Sequence, residues 1–135
     1  MAEDINTEEL EQGNLAVVAA FCKSWESKDM EGMLSCLDDK IFYQMWDADD
    51  AIKVEGKEEF AETVGDFIEN MDTVEFEIIR SQAMGKIVIN ERTDRFINED
   101  GRMIFSITGV FSLEDGKIVH WKDYIFPGKI MESPF

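Results

Sequence analysis

Apolar residues along this chain recur first at helical spacing and then at strand spacing, and the change comes near residue 72. Leu10, Val17, Phe21 and Trp25 fall on one helix face, which predicts a helix from about residue 7 to about residue 28. Asn6 or Thr7 can cap it, and Glu8 and Glu9 suit the positive end of its dipole. Gly13 weakens its early part. Asp29 can cap a second, short helix with Met30, Met33, Leu34 and Leu37 on one face. The run from Ile41 to Met45 reads as a short strand. Residues 46–55 are polar and acidic and read as a loop over an opening. A third helix is expected from about residue 57 to residue 70, with Phe60, Val64, Phe67 and Ile68 as its buried stripe.

Period two then takes over. Residues 73–84, 86–97, 102–113 and 117–126 each read as strands, rich in Ile, Val, Phe and Thr. Met84-Gly85, Asn98-Glu99-Asp100-Gly101 and Glu114-Asp115-Gly116 separate them, and short turns bearing Gly and Asp between alternating runs are hairpin signals. Helices from the N-terminal half over an antiparallel meander make an α+β domain. Residues 1–135 read as one domain, with residues 1–6 and 127–135 as loose tails; the stretch after Pro127 is expected to be irregular.

Composition narrows the partners. The net charge of -17 and pI of about 4.2 repel phosphate backbones and anionic lipid, so nucleic acid and membranes are poor partners. Cys22 and Cys36 form no C-x-x-C pair and read as buried, reduced thiols. Residues 1–12 carry no apolar signal core, and no stretch approaches the roughly 20 apolar residues that span a bilayer. The expected location is the cytoplasm.

The candidate chemistry lies on the strands. In residues 117–126, alternation puts Val119, Trp121, Asp123 and Ile125 on one face and His120, Lys122 and Tyr124 on the other. Asp123 therefore sits among apolar neighbours, where a carboxylate must be paired, hydrogen-bonded or protonated. In the second strand of the meander, Val88, Asn90, Arg92, Asp94 and Phe96 share a face. Arg92 offers five donors in a planar fork, enough to bridge Asp94 and Asp123. The bland alternative is a structural ion pair. Two carboxylates near one arginine suit epoxide opening by water, which needs an acid for the ring oxygen and a base for the water. His120, the sole histidine, lies on the wrong face for a Ser-His-Asp arrangement. One histidine and two separated cysteines make no zinc set, and Asp47-Ala48-Asp49-Asp50 lacks calcium-loop spacing and reads as a solvated loop.

Several motifs carry a family resemblance: Glu91-Arg92-Thr93-Asp94, Ile107-Thr108-Gly109-Val110-Phe111-Ser112-Leu113, Gly116-Lys117-Ile118, Trp121-Lys122-Asp123-Tyr124, Gly56-Lys57 and Phe42-Tyr43-Gln44. With them the chain resembles the limonene-1,2-epoxide hydrolase family, within the cone-shaped nuclear transport factor 2-like (NTF2-like, SnoaL-like) superfamily. The resemblance covers about residues 15–125. It implies three N-terminal helices packed on a curved, mostly antiparallel sheet, and a homodimer formed through that sheet. It implies a one-step, cofactor-free hydrolysis of a lipophilic epoxide to a vicinal diol. Asp123 would activate the water, Asp94 would protonate the epoxide oxygen, Arg92 would hold both, and Tyr43 would help hold the water. The family has an Asn two residues after that Tyr, and Met45 stands there in this chain. Gln44, Asn90 and a backbone carbonyl are candidates to compensate. Strand parity and the family pattern together nominate Met45, Trp25, Met71, Phe76, Phe96, Phe105, Ile107 and Trp121 for an apolar pocket wall. An NTF2-like isomerase, an epoxide-opening cyclase and a non-catalytic small-molecule-binding module remain open, because fold alone does not fix function.

Overall fold

A computed structural model describes residues 6–46, 51–126 and 130–132. Helix α1 spans Thr7–Glu26, and the Asn6 side chain caps it by accepting from the Glu8 and Glu9 amides at 2.8 and 3.4 Å. Helix α2 spans Met30–Ser35, capped by Asp29, which accepts from the Gly32 amide at 3.0 Å. It is shorter than the apolar spacing suggested: Leu37 opens strand β1, Leu37–Trp46, and does not extend the helix face.

Residues 51–55, expected to be loop, form strand β2, Ala51–Glu55, antiparallel to β1 with Met45 opposite Ile52. The reason is visible in hindsight: Val54 is 1% exposed, so this short segment has a buried side despite its acidic surroundings. The acidic stretch at residues 47–50 lies outside the described residues. Helix α3 spans Gly56–Glu69 and buries Phe60, Val64 and Ile68. Phe67, expected in that stripe, is instead 38% exposed.

Four long strands follow: β3 Thr73–Met84, β4 Ile87–Asn98, β5 Gly101–Glu114 and β6 Lys117–Ile125. Their hairpins use the predicted turns, and Asp115 and Gly116 both adopt positive φ (51° and 75°), as a tight primed turn requires. Residues 130–132, expected to be irregular, form a seventh strand, β7 Ile130–Glu132, antiparallel to the start of β5. The sheet order is β2-β1-β6-β5-β4-β3. Among the described residues every pairing is antiparallel except β1 with β6, which run parallel and set Tyr43 beside Trp121 and Met45 beside Asp123. None of the helices described is long and apolar enough to cross a membrane.

The core lies between the helices and the concave face of the sheet. Strand β4 alternates cleanly, with Val88, Asn90, Arg92, Asp94 and Phe96 all buried. Strand β6 does not. A register shift opposite Ser112 and Leu113 buries Ile118 and leaves Val119 half-buried, so the parity that predicted Val119 inward breaks before Trp121. From Trp121 onward the predicted faces hold. His120 lies on the other face, stacked on Phe42 with ring centroids 5.2 Å apart. Cys22 is buried and Cys36 only half-buried; both are free.

Phe21 ties the layers together. It is fully buried on α1, and its ring meets Phe60 of α3, Phe111 of β5 and Trp121 of β6 at 6.2, 6.4 and 5.0 Å. Phe21→Ala is expected to cost about 3–5 kcal/mol, the loss of a buried aromatic plus the cavity it leaves. A denaturant midpoint that falls with an unchanged slope would show it.

Candidate active site

Strand parity places Arg92 and Asp94 on the same face of β4, and the inward face of β6 brings Asp123 to them across β5. Arg92 is 1% exposed and holds both carboxylates. Its Nε and Nη2 donate to Asp94 Oδ1 and Oδ2 at 3.0 and 2.9 Å, a two-pronged contact that fixes the carboxylate plane. Nη2 also donates to Asp123 Oδ2 at 3.0 Å, and Nη1 donates to Asn90 Oδ1 at 3.0 Å. The guanidinium lies 4.9 Å from the Phe76 ring centroid. Asp123 Oδ1 accepts from the Trp121 indole Nε1 at 2.7 Å, so each of its oxygens already has a donor.

Gly109 makes this packing possible. It stands in register between Asn90 of β4 and Asp123 of β6. A Cβ there would overlap Arg92 Nη1 and come within 2.9 Å of both Asn90 Oδ1 and Asp123 Oδ1. A glycine inside a strand is costly unless something occupies its side-chain space; here the occupant is a guanidinium.

Burial dominates the electrostatics. The two carboxyls and one guanidinium would carry net charge −1 if all were ionised. Desolvation pushes Asp94 up from 3.8 to about 6, with Arg92 opposing and the Asp123 charge adding to the rise. Asp123 is also raised by burial, against the pull of Arg92 and the Trp121 hydrogen bond. Burial, then the Asp123 charge, raises the Tyr43 phenol well above its ordinary range, so it stays neutral. The Cys22 thiol, which accepts from Asn90 Nδ2 at 3.9 Å, is pushed up to about 12 by burial and is no nucleophile.

A cavity of about 240 Å³ opens beside this cluster. Of the residues nominated for its wall, Trp25, Met45, Phe76, Phe96, Phe105, Ile107 and Trp121 line it. Met71 does not. It sits 7% exposed in the α3–β3 connection, where its carbonyl accepts from Lys28 Nζ at 2.7 Å. That connection has no strand parity to aim a side chain, and the nomination fails for that reason. Ile52, Thr63, Val64, Phe67 and Ile125 line the cavity as well and were not anticipated. Thr63 lies one position before Val64, where an amphipathic pattern gives no warning, and Phe67, expected in the buried stripe, lines the cavity instead. Asp94 and Tyr43 face the cavity too. Among the described residues, neither Arg92 nor Asp123 lines it; Asp123 lies beside Met45 in register and accepts from the Trp121 indole, and it is buried as deeply as Asp94, at 2% and 1% exposed. No group of three or more His, Cys, Asp or Glu among the described residues is arranged to hold a metal.

Gly109→Ala is expected to destabilise the protein by about 1–3 kcal/mol through overpacking and to disturb the Arg92 contacts. Chemical denaturation would measure the first effect. The second would appear as lost turnover at temperatures where the variant remains folded.

The chain as a whole is similar to known proteins. Over 50 residues the chain is 44% identical to epoxide hydrolase EphG of Mycobacterium tuberculosis, covering 37% of this chain and 34% of that protein. The match thus spans about a third of that relative's length. A solved structure of an M. tuberculosis LEH-like epoxide hydrolase superposes with a TM-score of 0.74 at 27% identity, covering 86% of this chain and 84% of that one. An NTF2-like protein of unknown function from Burkholderia pseudomallei gives 0.74 at 15% identity over 84% and 91%, a likeness of fold alone. Residues 12–132 match the limonene-1,2-epoxide hydrolase catalytic domain, and the chain belongs to that family.

Proposed function

We propose that this chain is a cofactor-independent epoxide hydrolase that converts a lipophilic epoxide to a vicinal diol in one step. The observation that carries the reading is one buried arginine holding two carboxyls, one of which faces an apolar cavity. Asp94 is the acid: it faces the cavity, and burial keeps it protonated further up the pH scale than an ordinary carboxyl. Asp123 is the base, fixed by Arg92 and Trp121, and takes a proton from the attacking water. The neutral Tyr43 hydroxyl helps to hold that water. The aromatic and aliphatic wall suits a compact apolar substrate. The homodimer through the sheet implied by family resemblance belongs to the same proposal; Ile79 and Met84 leave apolar surface on β3 at 55% and 60% exposure.

The direct test is a single turnover with limonene oxide or styrene oxide in ¹⁸O-labelled water. Diol labelled in that first turnover supports attack by water; unlabelled diol means a protein carboxylate supplied the oxygen. Asp123→Asn is expected to lower the rate by about 10²–10⁴-fold, the usual worth of a positioned base.

The acid also sets a pH dependence. Only protonated Asp94 can donate, and the carboxyl loses its proton as pH rises through about 6. The ratio kcat/KM is therefore expected to fall about tenfold per pH unit above that point. A flat profile from pH 5 to 8 would rule out Asp94 as the acid.

A further inference from the structure

The groups required for water attack are not equally close to the cavity. Asp94 lines it and is its one carboxyl among the described residues. Asp123, the base, is as deeply buried as Asp94 and also has a donor on each oxygen, but among the described residues it does not line the cavity and lies beside Met45 in the β1–β6 register. Met45 lines the cavity and offers a thioether, a weak acceptor that holds water poorly. The acid thus lines the cavity, while the cavity-lining side chain in register with the base is apolar.

We propose that the cavity also rearranges its bound epoxide, without water, to the isomeric aldehyde or ketone. The inference rests on the reading that Asp94 protonates a bound epoxide. The bond from the more substituted carbon to the ring oxygen breaks, its electron pair goes to oxygen, and oxygen takes the Asp94 proton. Positive charge develops on that carbon. Trp25, Phe96 and Phe105 line the same cavity, and an aromatic ring attracts such a charge over its face. With no water in line, a hydrogen on the neighbouring carbon migrates with its electron pair to the cationic carbon. An oxygen lone pair completes the carbonyl, and the hydroxyl proton returns to Asp94. One carbon is oxidised and its neighbour reduced within the molecule, so no outside oxidant, reductant or base is needed. The carboxylate left by the proton transfer stands beside the charge it created and is restored at the end. Water attack and hydride migration draw on the same protonated epoxide, and the residue at position 45 sets the division between them.

The test uses styrene oxide carrying two deuteriums on its terminal carbon. The full-length wild-type protein is expected to form phenylacetaldehyde with one deuterium on each carbon, beside diol, when products are read at early times. Asp94→Asn and protein-free buffer at the same pH are expected to form neither. Met45→Asn, which restores an amide able to hold water, is expected to lower the aldehyde-to-diol ratio about ten- to a hundredfold, the scale on which positioning a reactant acts. The label result on wild type stands whether or not that variant folds. Diol without aldehyde overturns the proposal and leaves the hydrolase reading intact. Aldehyde without diol supports the proposal and overturns the hydrolase reading. Aldehyde whose deuteriums have not migrated overturns the hydride shift, and a ratio unchanged in Met45→Asn overturns the part given to Met45. Neither product from this substrate or from limonene oxide overturns both readings.

Discussion

Two carboxyls and one guanidinium share the driest part of this fold, and the rest of the structure answers to that arrangement. Arg92, Asp94 and Asp123 are each no more than 2% exposed. Removing such groups from water costs several kcal/mol per ion, and mutual attraction offsets this only when geometry is good and spare donors and acceptors are matched. Here Arg92 uses both prongs on Asp94, reaches Asp123, and spends a further donor on Asn90. The Trp121 indole donates to the carboxylate oxygen that Arg92 does not reach. The remaining imbalance is a surplus negative charge, and a retained proton is the natural relief. That proton is what an acid catalyst needs, so the cost of burial and the capacity for chemistry have one source.

The scaffold makes room for the cluster in specific ways. Strands are well suited to it because side chains two apart emerge together, which sets Asn90, Arg92, Asp94 and Phe96 in one row. The neighbouring strand yields its side-chain space at Gly109. Aromatic rings close the remaining sides. Trp121 stacks between Tyr43 and Phe111 at 4.1 and 5.4 Å, and Trp25 stacks on Phe76 at 4.9 Å. These rings exclude water from the ion cluster and also form part of the wall that a substrate would meet.

Most of the architecture was legible because it follows local rules. The helix caps at Asn6 and Asp29, the hairpin turns and the row on β4 can be read from neighbours in sequence. Arg92, Asp94 and Asp123 were found because a charged residue on an otherwise apolar strand face must have a partner. What escaped depends on non-local contacts. Strand β2 has only five residues in an acidic stretch, and its buried Val54 matters only once β1 lies beside it. The bulge that exchanges Val119 for Ile118 is imposed by β5. Gly109 became meaningful only when the register placed it between Asn90 and Asp123, and Met71 was misplaced because a connection carries no periodicity. That Asp94 lines the cavity and Asp123 does not could not be read from alternation, which gives the face but not the distance to a cavity.

The parallel pairing of β1 with β6 has a consequence for how the protein comes into being. Strands β1 and β6 are about 70 residues apart in sequence, at 37–46 and 117–125, yet their zipping is what puts Tyr43 and Met45 beside Trp121 and Asp123. Closing so long a loop is entropically late work, rewarded only after the local hairpins β3–β4–β5–β6 exist. A chain still emerging from synthesis has its helices and β1 first but lacks β6, so it has neither the second carboxyl for Arg92 nor a closed chamber. Reactivity therefore arrives with the last long-range contact, and a partly folded chain is an inert one.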